Sequence, residues 1–248
     1  MLLAPRYLAG GGLSQARITA TMDPLVRDFG WPVKRGHDTG RIAVTSPDRT
    51  FSITFDPTRD DGRWWTVQHH AGADDADSWQ ADITRHTPIE AVAAALQLLP
   101  LLNGDARRLE RLGLLHEDPP HRLAQTRGWT ADGLQRQRYA SPEGRCTVHR
   151  EPDDHLAWRI ETSAPGETQA AWRADFTHAT PAGLVTRFFA NLSGPIPVER
   201  RCSEIPPALR DLPDVRIIRA APRRPPLTAR PAAQLSARPP AVRLRNTR

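Results

Sequence analysis

Trp65 and Trp158 stand 93 positions apart, and so do Trp79 and Trp172, Asp82 and Asp175, Thr84 and Thr177, and the dipeptides Thr87-Pro88 and Thr180-Pro181. The string WQADITRHTP from Trp79 lies over WRADFTHATP from Trp172. Upstream the offset widens. Ser46-Pro47-Asp48 matches Ser141-Pro142-Glu143 at 95, and Gly30-Trp31 matches Gly128-Trp129 at 98. Short loop deletions in the second copy produce such steps. Tryptophan is rare, and six of the seven pair up this way. An internal repeat constrains the fold before any other signal does, because the chain must build one unit twice.

Local signals give each copy the same order of elements. Thr50–Phe55 alternates, with Phe51, Ile53 and Phe55 on one face, which predicts a half-buried strand. Arg41–Thr45 precedes it across the turn Ser46-Pro47-Asp48-Arg49, whose proline presets φ. Trp64–His69 and Ser78–Ile83 read as two more strands, joined by the acidic turn Gly72–Asp77. Thr87-Pro88-Ile89-Glu90 then opens a helix, with Thr87 as N-cap, Pro88 at the first helical position and Glu90 closing a capping box. Ile89, Val92, Ala93 and Leu96 form its apolar stripe. In the second copy Leu184, Val185, Phe188, Phe189 and Leu192 follow Thr180-Pro181, with Gly183 in place of the glutamate.

The expected fold class is α+β: two tandem ββββα modules, each an antiparallel sheet plus one helix, packed as a pseudo-dimer and followed by a disordered basic tail. A short helix around Asp23–Phe29 is expected ahead of the first module, and Asp105–Leu115 reads as a connecting helix. The chain divides into an N-terminal extension (1–21), the first module (22–103), a linker helix (104–120), the second module (121–195), and an irregular segment with the basic tail (196–248).

Charge is unevenly spread. The chain has 34 basic and 28 acidic residues, net +6. From Val215 onward stand nine arginines (Arg216, Arg219, Arg223, Arg224, Arg230, Arg238, Arg243, Arg245, Arg248) and no acid, so the rest carries net −3. A segment of that kind attracts polyanions and has too little to bury to fold. Lys34 is the one lysine, a bias that GC-rich codon usage explains, so arginine abundance alone is no argument for phosphate recognition. Cys146 and Cys202 make no disulfide framework, and neither a signal peptide nor a membrane span is legible. A cytoplasmic protein with no membrane partner is expected.

Gly-Trp, then Ser-Pro-Asp, then Trp, then Trp-x-Ala-Asp-x-Thr-x-x-Thr-Pro before an apolar helix together resemble the actinobacterial SPDY-motif domain, a family of unknown function often found in two copies. The opening Pro5-Arg6-Tyr7-Leu8-Ala9-Gly10-Gly11-Gly12 is similar to the start of proteins that carry it. The resemblance covers about residues 5–195. Copy two departs at Glu143-Gly144, and copy one has Arg49 where the namesake tyrosine would stand. The resemblance implies the repeated architecture and brings no activity.

Candidate chemistry is sparse. His69 and His70, adjacent on a strand, point to opposite faces and suit an exposed strand end better than a metal. Asp74, Asp75 and Asp77 lack EF-hand spacing. Asp82 and Asp175 precede a capped helix and read as strand-end residues that bond nearby backbone N–H groups rather than as catalytic carboxylates. Gly10-Gly11-Gly12 is not a phosphate-loop pattern, neither cysteine has a nucleophile's partner, and the Asn191-Leu192-Ser193 sequon falls at a helix end. Trp31, Trp65, Trp79, Trp129, Trp158 and Trp172 could stack bases, but core packing is expected of them. The expectation is a non-enzymatic binding protein without metal or cofactor. It associates with DNA or RNA through the tail and a pseudo-symmetric sheet surface. The alternative is a protein–protein adaptor whose tail only solubilises.

Overall fold

The computed structural model describes residues 1–72, 77–102, 120–132, 138–150, 156–164, 166–167, 169–210 and 212–218. The expected linker helix over 105–115, Asp74 and Asp75, and the arginines from Arg219 onward lie outside these residues.

In chain order the elements are β1 (Leu2–Ala4), α1 (Gln15–Phe29), β2 (Val33–Arg35), β3 (Ile42–Thr45), β4 (Phe51–Phe55), β5 (Trp65–His69), β6 (Trp79–Ile83), α2 (Ile89–Leu96), α3 (Leu99–Leu102), α4 (Pro120–Thr126), β7 (Thr130–Asp132), β8 (Arg138–Ala140), β9 (Cys146–Arg150), β10 (Leu156–Ser163), β11 (Ala170–Thr177), α5 (Ala182–Leu192), β12 (Val198–Glu199), α6 (Pro207–Arg210) and β13 (Arg216–Ile218). The fold is mixed α+β around a large antiparallel sheet of ten strands, ordered β2-β3-β4-β5-β6-β11-β10-β9-β8-β7. Each repeat supplies five strands where the sequence predicts four. The extra ones, β2 and β7, are three residues long, and all three residues of β2 are exposed, so no apolar alternation announces them.

Inward-facing Ile42, Val44, Phe51, Ile53, Phe55, Val67, Ala81 and Ile83 of the first repeat are buried with Cys146, Val148, Ile160, Ala174 and Phe176 of the second. Helix α2 packs against both α1 and α5 over this face, and α4 packs against α5. The helix ahead of the first repeat begins at Gln15, well before Asp23, because the Ser14 side chain accepts from the Arg17 N–H and the chain runs through Pro24. Its end accounts for one repeated dipeptide. Gly30 and Gly128 take left-handed φ of 68° and 74°, and the following Trp31 and Trp129 N–H groups reach back to the Leu25 and Ala124 carbonyls.

The Ser-Pro-Asp turn is equally explicit. Ser46 Oγ accepts from the Phe51 N–H at 2.9 Å, and Ser141 Oγ from the Cys146 N–H at 3.1 Å. The residue after each acid has positive φ, 66° at Arg49 and 68° at Gly144. Tyrosine is therefore dispensable there, and what the turn requires is a left-handed residue.

The two repeats meet where β6 pairs with β11, with Asp82 opposite Asp175. Across this seam the Gln80 N–H donates to Thr177 Oγ1 at 2.9 Å and the Arg173 N–H to Thr84 Oγ1 at 2.7 Å. Residues 80 and 173, like 84 and 177, are repeat equivalents, so the two bonds are reciprocal. The Asp82 carboxylate takes Thr66 Oγ1 at 3.0 Å and Gln80 Nε2 at 2.6 Å, with Arg63 at 3.4 Å. Arg159 and Arg173 hold Asp175 at 2.7 and 3.0 Å.

The capping box at α2 does not form. Pro88 is the N-cap with no side-chain cap bond, and the Ile89 N–H donates instead to the Gly11 carbonyl at 3.0 Å. Thr87 Oγ1 turns to the Arg173 carbonyl, and Glu90 is drawn away by Arg200. Pro181 likewise caps α5 without a side-chain bond.

Residues 196–218, expected to be irregular, hold β12, α6 and β13, and β1 of the N-terminal extension lies between β12 and β13 in a three-stranded sheet. The segment carries little periodicity because its partners come from the other end of the chain. Arg200 locks this part down. Its side chain is 0% exposed, forms a bidentate pair with Glu90 (2.8 and 2.5 Å), and donates to the Gly10 carbonyl at 3.1 Å. The glycine run is a matter of clearance rather than ligand binding. A Cβ on Gly10 would strike Pro206, one on Gly11 would lie 2.7 Å from the Arg85 carbonyl, and one on Gly12 2.7 Å from Arg200 Cζ.

Two outcomes follow. Arg49→Gly relieves a left-handed arginine, and after glycine's own entropy cost the variant gains about 0.5–1 kcal/mol by chemical denaturation, whereas Arg49→Val loses stability. Glu90→Gln leaves the buried Arg200 charge uncompensated and costs about 3 kcal/mol in the same assay. Burial raises the Glu90 pKa, but the Arg200 bonds outweigh it and hold the carboxyl below its ordinary 4.5. The pair therefore stabilises fully above pH 4.5 and is lost as pH falls through the lower folded value.

Candidate polyanion-binding surface

The six paired tryptophans are buried, from 0% exposed at Trp65 to 7% at Trp158, so none offers a face to a base or sugar. Trp129 is wedged edge-on between Tyr7 and Phe189, and Trp172 Nε1 donates to the Tyr7 carbonyl at 2.8 Å. Asp82 and Asp175 are brought together at the seam and held by side chains. This differs from the expected bonds to neighbouring backbone, because Thr66 and Arg159 on the adjacent inner strands, and Gln80 and Arg173 two residues back on the same strands, lie nearer. His69 stacks on Trp79, with Nδ1 3.2 Å from the Asp77 carbonyl, and His70 is exposed. Among the described residues no cluster of three or more potential metal ligands occurs. Of the nine tail arginines, Arg216 lies in β13, and the others fall outside the described residues.

The sheet face away from the helices is polar and internally paired. A hydrogen-bonded row runs across β4, β5 and β6 from Ser52 to Gln68 (3.3 Å), Gln80 (3.0 Å) and Asp82 (2.6 Å). In the second repeat Arg159 and Arg173 are spent on Asp175, and Glu161 lies 4.0 Å from His149. Arg63, Arg159 and Arg173 thus face Asp82, Asp175 and Glu161. Lys34 and Arg138 stand in the same cross-sheet row at its two outer edges, so the paired charges occupy the middle of the face.

Titratable groups with displaced pKa values lie elsewhere. Burial pushes the Cys146 thiol up, away from a thiolate nucleophile. Burial, then the hydrogen bond to Glu143 (2.6 Å), does the same to the Tyr7 hydroxyl. In copy one the corresponding acid, Asp48, bonds Ser46 and Thr50 within its own turn. In copy two the longer Glu143 reaches out to Tyr7. His86 lies beneath the glycine run, beside a cleft lined by Arg59, Asp61, Thr84 and Arg85. Burial, then the Arg85 charge, pushes its pKa down to about 4. In the same cleft the Asp61 carboxyl is lowered by hydrogen bonds from Arg59 and the Arg63 N–H.

Free positive charge collects at the far end of the second repeat. A cleft of about 500 Å³ is lined by Tyr7, Arg127, Trp129, Glu143, Asp214 and Arg216. A second of about 320 Å³ adjoins it and is lined by Arg6, Arg127, Arg187, Asn191 and Ile196. Arg127, Gly194 and Pro195 belong to both. No spacing of residues announces this grouping, since its arginines come from β13, α5, the end of α4 and the N-terminal segment. The motif Pro5–Gly12 was the one signal that the N-terminal segment belongs to the folded body.

Because the folded His86 value lies below the ordinary 6.5, its neutral form stabilises the fold above pH 6.5, and that contribution is lost as pH falls toward 4. His86→Gln should flatten this part of the pH–stability curve, by on the order of 1–3 kcal/mol between the two limits, as read by denaturation at stepped pH.

Comparison with known proteins places the repeat in a family. SPDY, a domain of unknown function (DUF317), matches residues 45–100 and again 140–198, each match running from the Ser-Pro turn through the helix after the seam strand. No curated protein and no solved structure gives a match. The chain therefore carries two segments that match the SPDY domain, consistent with two copies in tandem.

Proposed function

We propose that this protein is a non-enzymatic, nucleic-acid-associated binding protein. Its two SPDY domains join through the β6–β11 seam as a pseudo-dimeric scaffold, and its arginine-rich C-terminal segment supplies electrostatic affinity. The reciprocal Thr84 and Thr177 bonds support the pseudo-dimer. The observation that carries the functional reading is charge segregation. Nine arginines and no acid follow Val215, while the remaining chain carries net −3. Arg216 is anchored in β13, beside clefts where arginines gather. Phosphate neutralisation by such a segment gives salt-dependent binding indifferent to sequence. The six repeat-paired indoles are buried and supply no base-stacking surface, so the sheet acts as scaffold.

A protein adaptor is the second reading, favoured by the polar sheet face with its paired central charges and by the net −3 of the chain ahead of Val215. Partners retained in a pull-down after nuclease treatment support it, whereas partners lost on treatment support nucleic acid.

Residues 1–218 hold every described element, so removing the remainder isolates the basic segment. In titrations of labelled single- and double-stranded DNA, the full chain should bind at low salt and lose affinity steeply as salt rises. The 1–218 protein should bind far more weakly, with a shallower salt slope. Absence of binding by both proteins at low salt refutes the nucleic-acid reading.

A further inference from the structure

Three arginines in the paired clefts have no work to do within the fold. Arg127, Arg187 and Arg216 are exposed, and no acceptor among the described residues engages their guanidinium groups. Of the acids beside them, Asp214 pairs with Arg145 at 3.3 Å, while Glu143 accepts the neutral Tyr7 hydroxyl at 2.6 Å and keeps its charge, so the three arginines outnumber one unpaired carboxylate. The C-terminal end of α5, whose carbonyls would repel an anion, is partly neutralised, since Arg6 donates to the Asn191 carbonyl at 2.9 Å and to its Oδ1 at 2.8 Å. The groove therefore presents cations with their five donors unspent, suited to phosphate oxygens. Its middle is narrow-shouldered backbone at Gly194 and Pro195, and Trp129 in its wall is buried, so a base finds no stacking partner.

We propose that Arg127, Arg187 and Arg216 form a groove that holds the phosphodiester backbone of a nucleic acid, continuous with the first residues of the arginine-rich segment. The assignment rests on the nucleic-acid reading above and adds a defined site on the folded body to it. The groove is cationic and exposes no aromatic face for stacking, so charge is its means of recognition and it contacts backbone. Arg127 lines both clefts, Arg187 lines one and Arg216 the other, so a strand that contacts all three follows the line along which the clefts adjoin.

The test compares the full chain, the 1–218 protein and three sets of substitutions, all checked by thermal melting. Fluorescence anisotropy with labelled single-stranded and duplex oligonucleotides of mixed sequence reads affinity across a salt series. The triple variant Arg127→Ala, Arg187→Ala, Arg216→Ala should weaken binding by about tenfold or more at low salt. Its log–log salt slope should fall by about 0.7 per arginine on single strands and about 0.9 on duplex. Replacing the same three by lysine should restore most of the loss, because the charge remains. Lys34→Ala, Arg35→Ala, Arg85→Ala removes equal charge from exposed positions elsewhere and should leave affinity within about twofold. If the groove variant binds like wild type, or the control variant loses as much, the groove is wrong while the tail reading stands. If the full chain binds neither oligonucleotide at low salt, both readings fall. If anionic phosphatidylglycerol vesicles bind and nucleic acid does not compete, the partner is a membrane surface and the proposal is overturned.

Discussion

The antiparallel pairing of Ala81–Ile83 with Ala174–Phe176 decides where everything else in the molecule goes. It turns two five-stranded halves into one sheet of ten strands, so the inward side chains of both repeats share a face and α2 comes to lie against α5. It also brings Asp82 opposite Asp175, an arrangement that destabilises a sheet unless the charges are answered. The two repeats answer differently. Thr66 and Gln80 bond one carboxylate, and their equivalents Arg159 and Arg173 neutralise the other. Both aspartates share the surrounding positive charge, and neither needs the other's cation. The reciprocal threonine bonds then satisfy backbone N–H groups at each end of the seam, where the short ladder would otherwise leave them orphaned.

Divergence between the repeats is used to attach the two ends of the chain. Asp48 folds back into its own turn, whereas the longer side chain of Glu143 extends outward and receives Tyr7. Glu90 at the start of α2 receives Arg200, while Gly183 stands at the equivalent place in α5 and offers no carboxylate. The N-terminal segment is thus pulled to the second repeat at Tyr7, to the first at Gly11, and to Arg200 of the following segment at Gly10. Such contacts join both repeats to β1 and β13, which is why the arginine-rich segment starts from a fixed point.

The repeated letters made much of this legible. Gly30-Trp31 marks a helix end, Ser46-Pro47 a hairpin turn, and the inward-facing tryptophans a common core, all of which are local or periodic signals. Trp79-Gln80-Ala81-Asp82-Ile83-Thr84 was readable as a strand but not as a seam, because the partners of Asp82 and Thr84 are set by a strand more than eighty residues away. The capping box at Thr87 failed for the same reason. A local pattern proposed Glu90 for the helix backbone, and a buried guanidinium 110 positions on made the stronger offer. Nor could the groove be seen in the letters. Its arginines have no common spacing, and only the fold shows which of the chain's many arginines remain without an acid.

That last distinction separates structural arginine from binding arginine in a chain with almost no lysine. Arg200 is matched by Glu90, and Arg159 and Arg173 share Asp175, so much of their charge is answered within a few ångströms. Arg127, Arg187 and Arg216 keep theirs. A polyanion therefore finds three such arginines gathered beside β13, from which the arginine-rich sequence continues. Contacts at the groove raise the local concentration of phosphate around that segment, and contacts by the segment do the same for the groove. Their joint affinity can exceed what either supplies alone, without any added contact. Codon bias explains why the cations are arginines; that three unpaired ones meet beside β13, where the arginine-rich stretch of sequence begins, is the work of the fold.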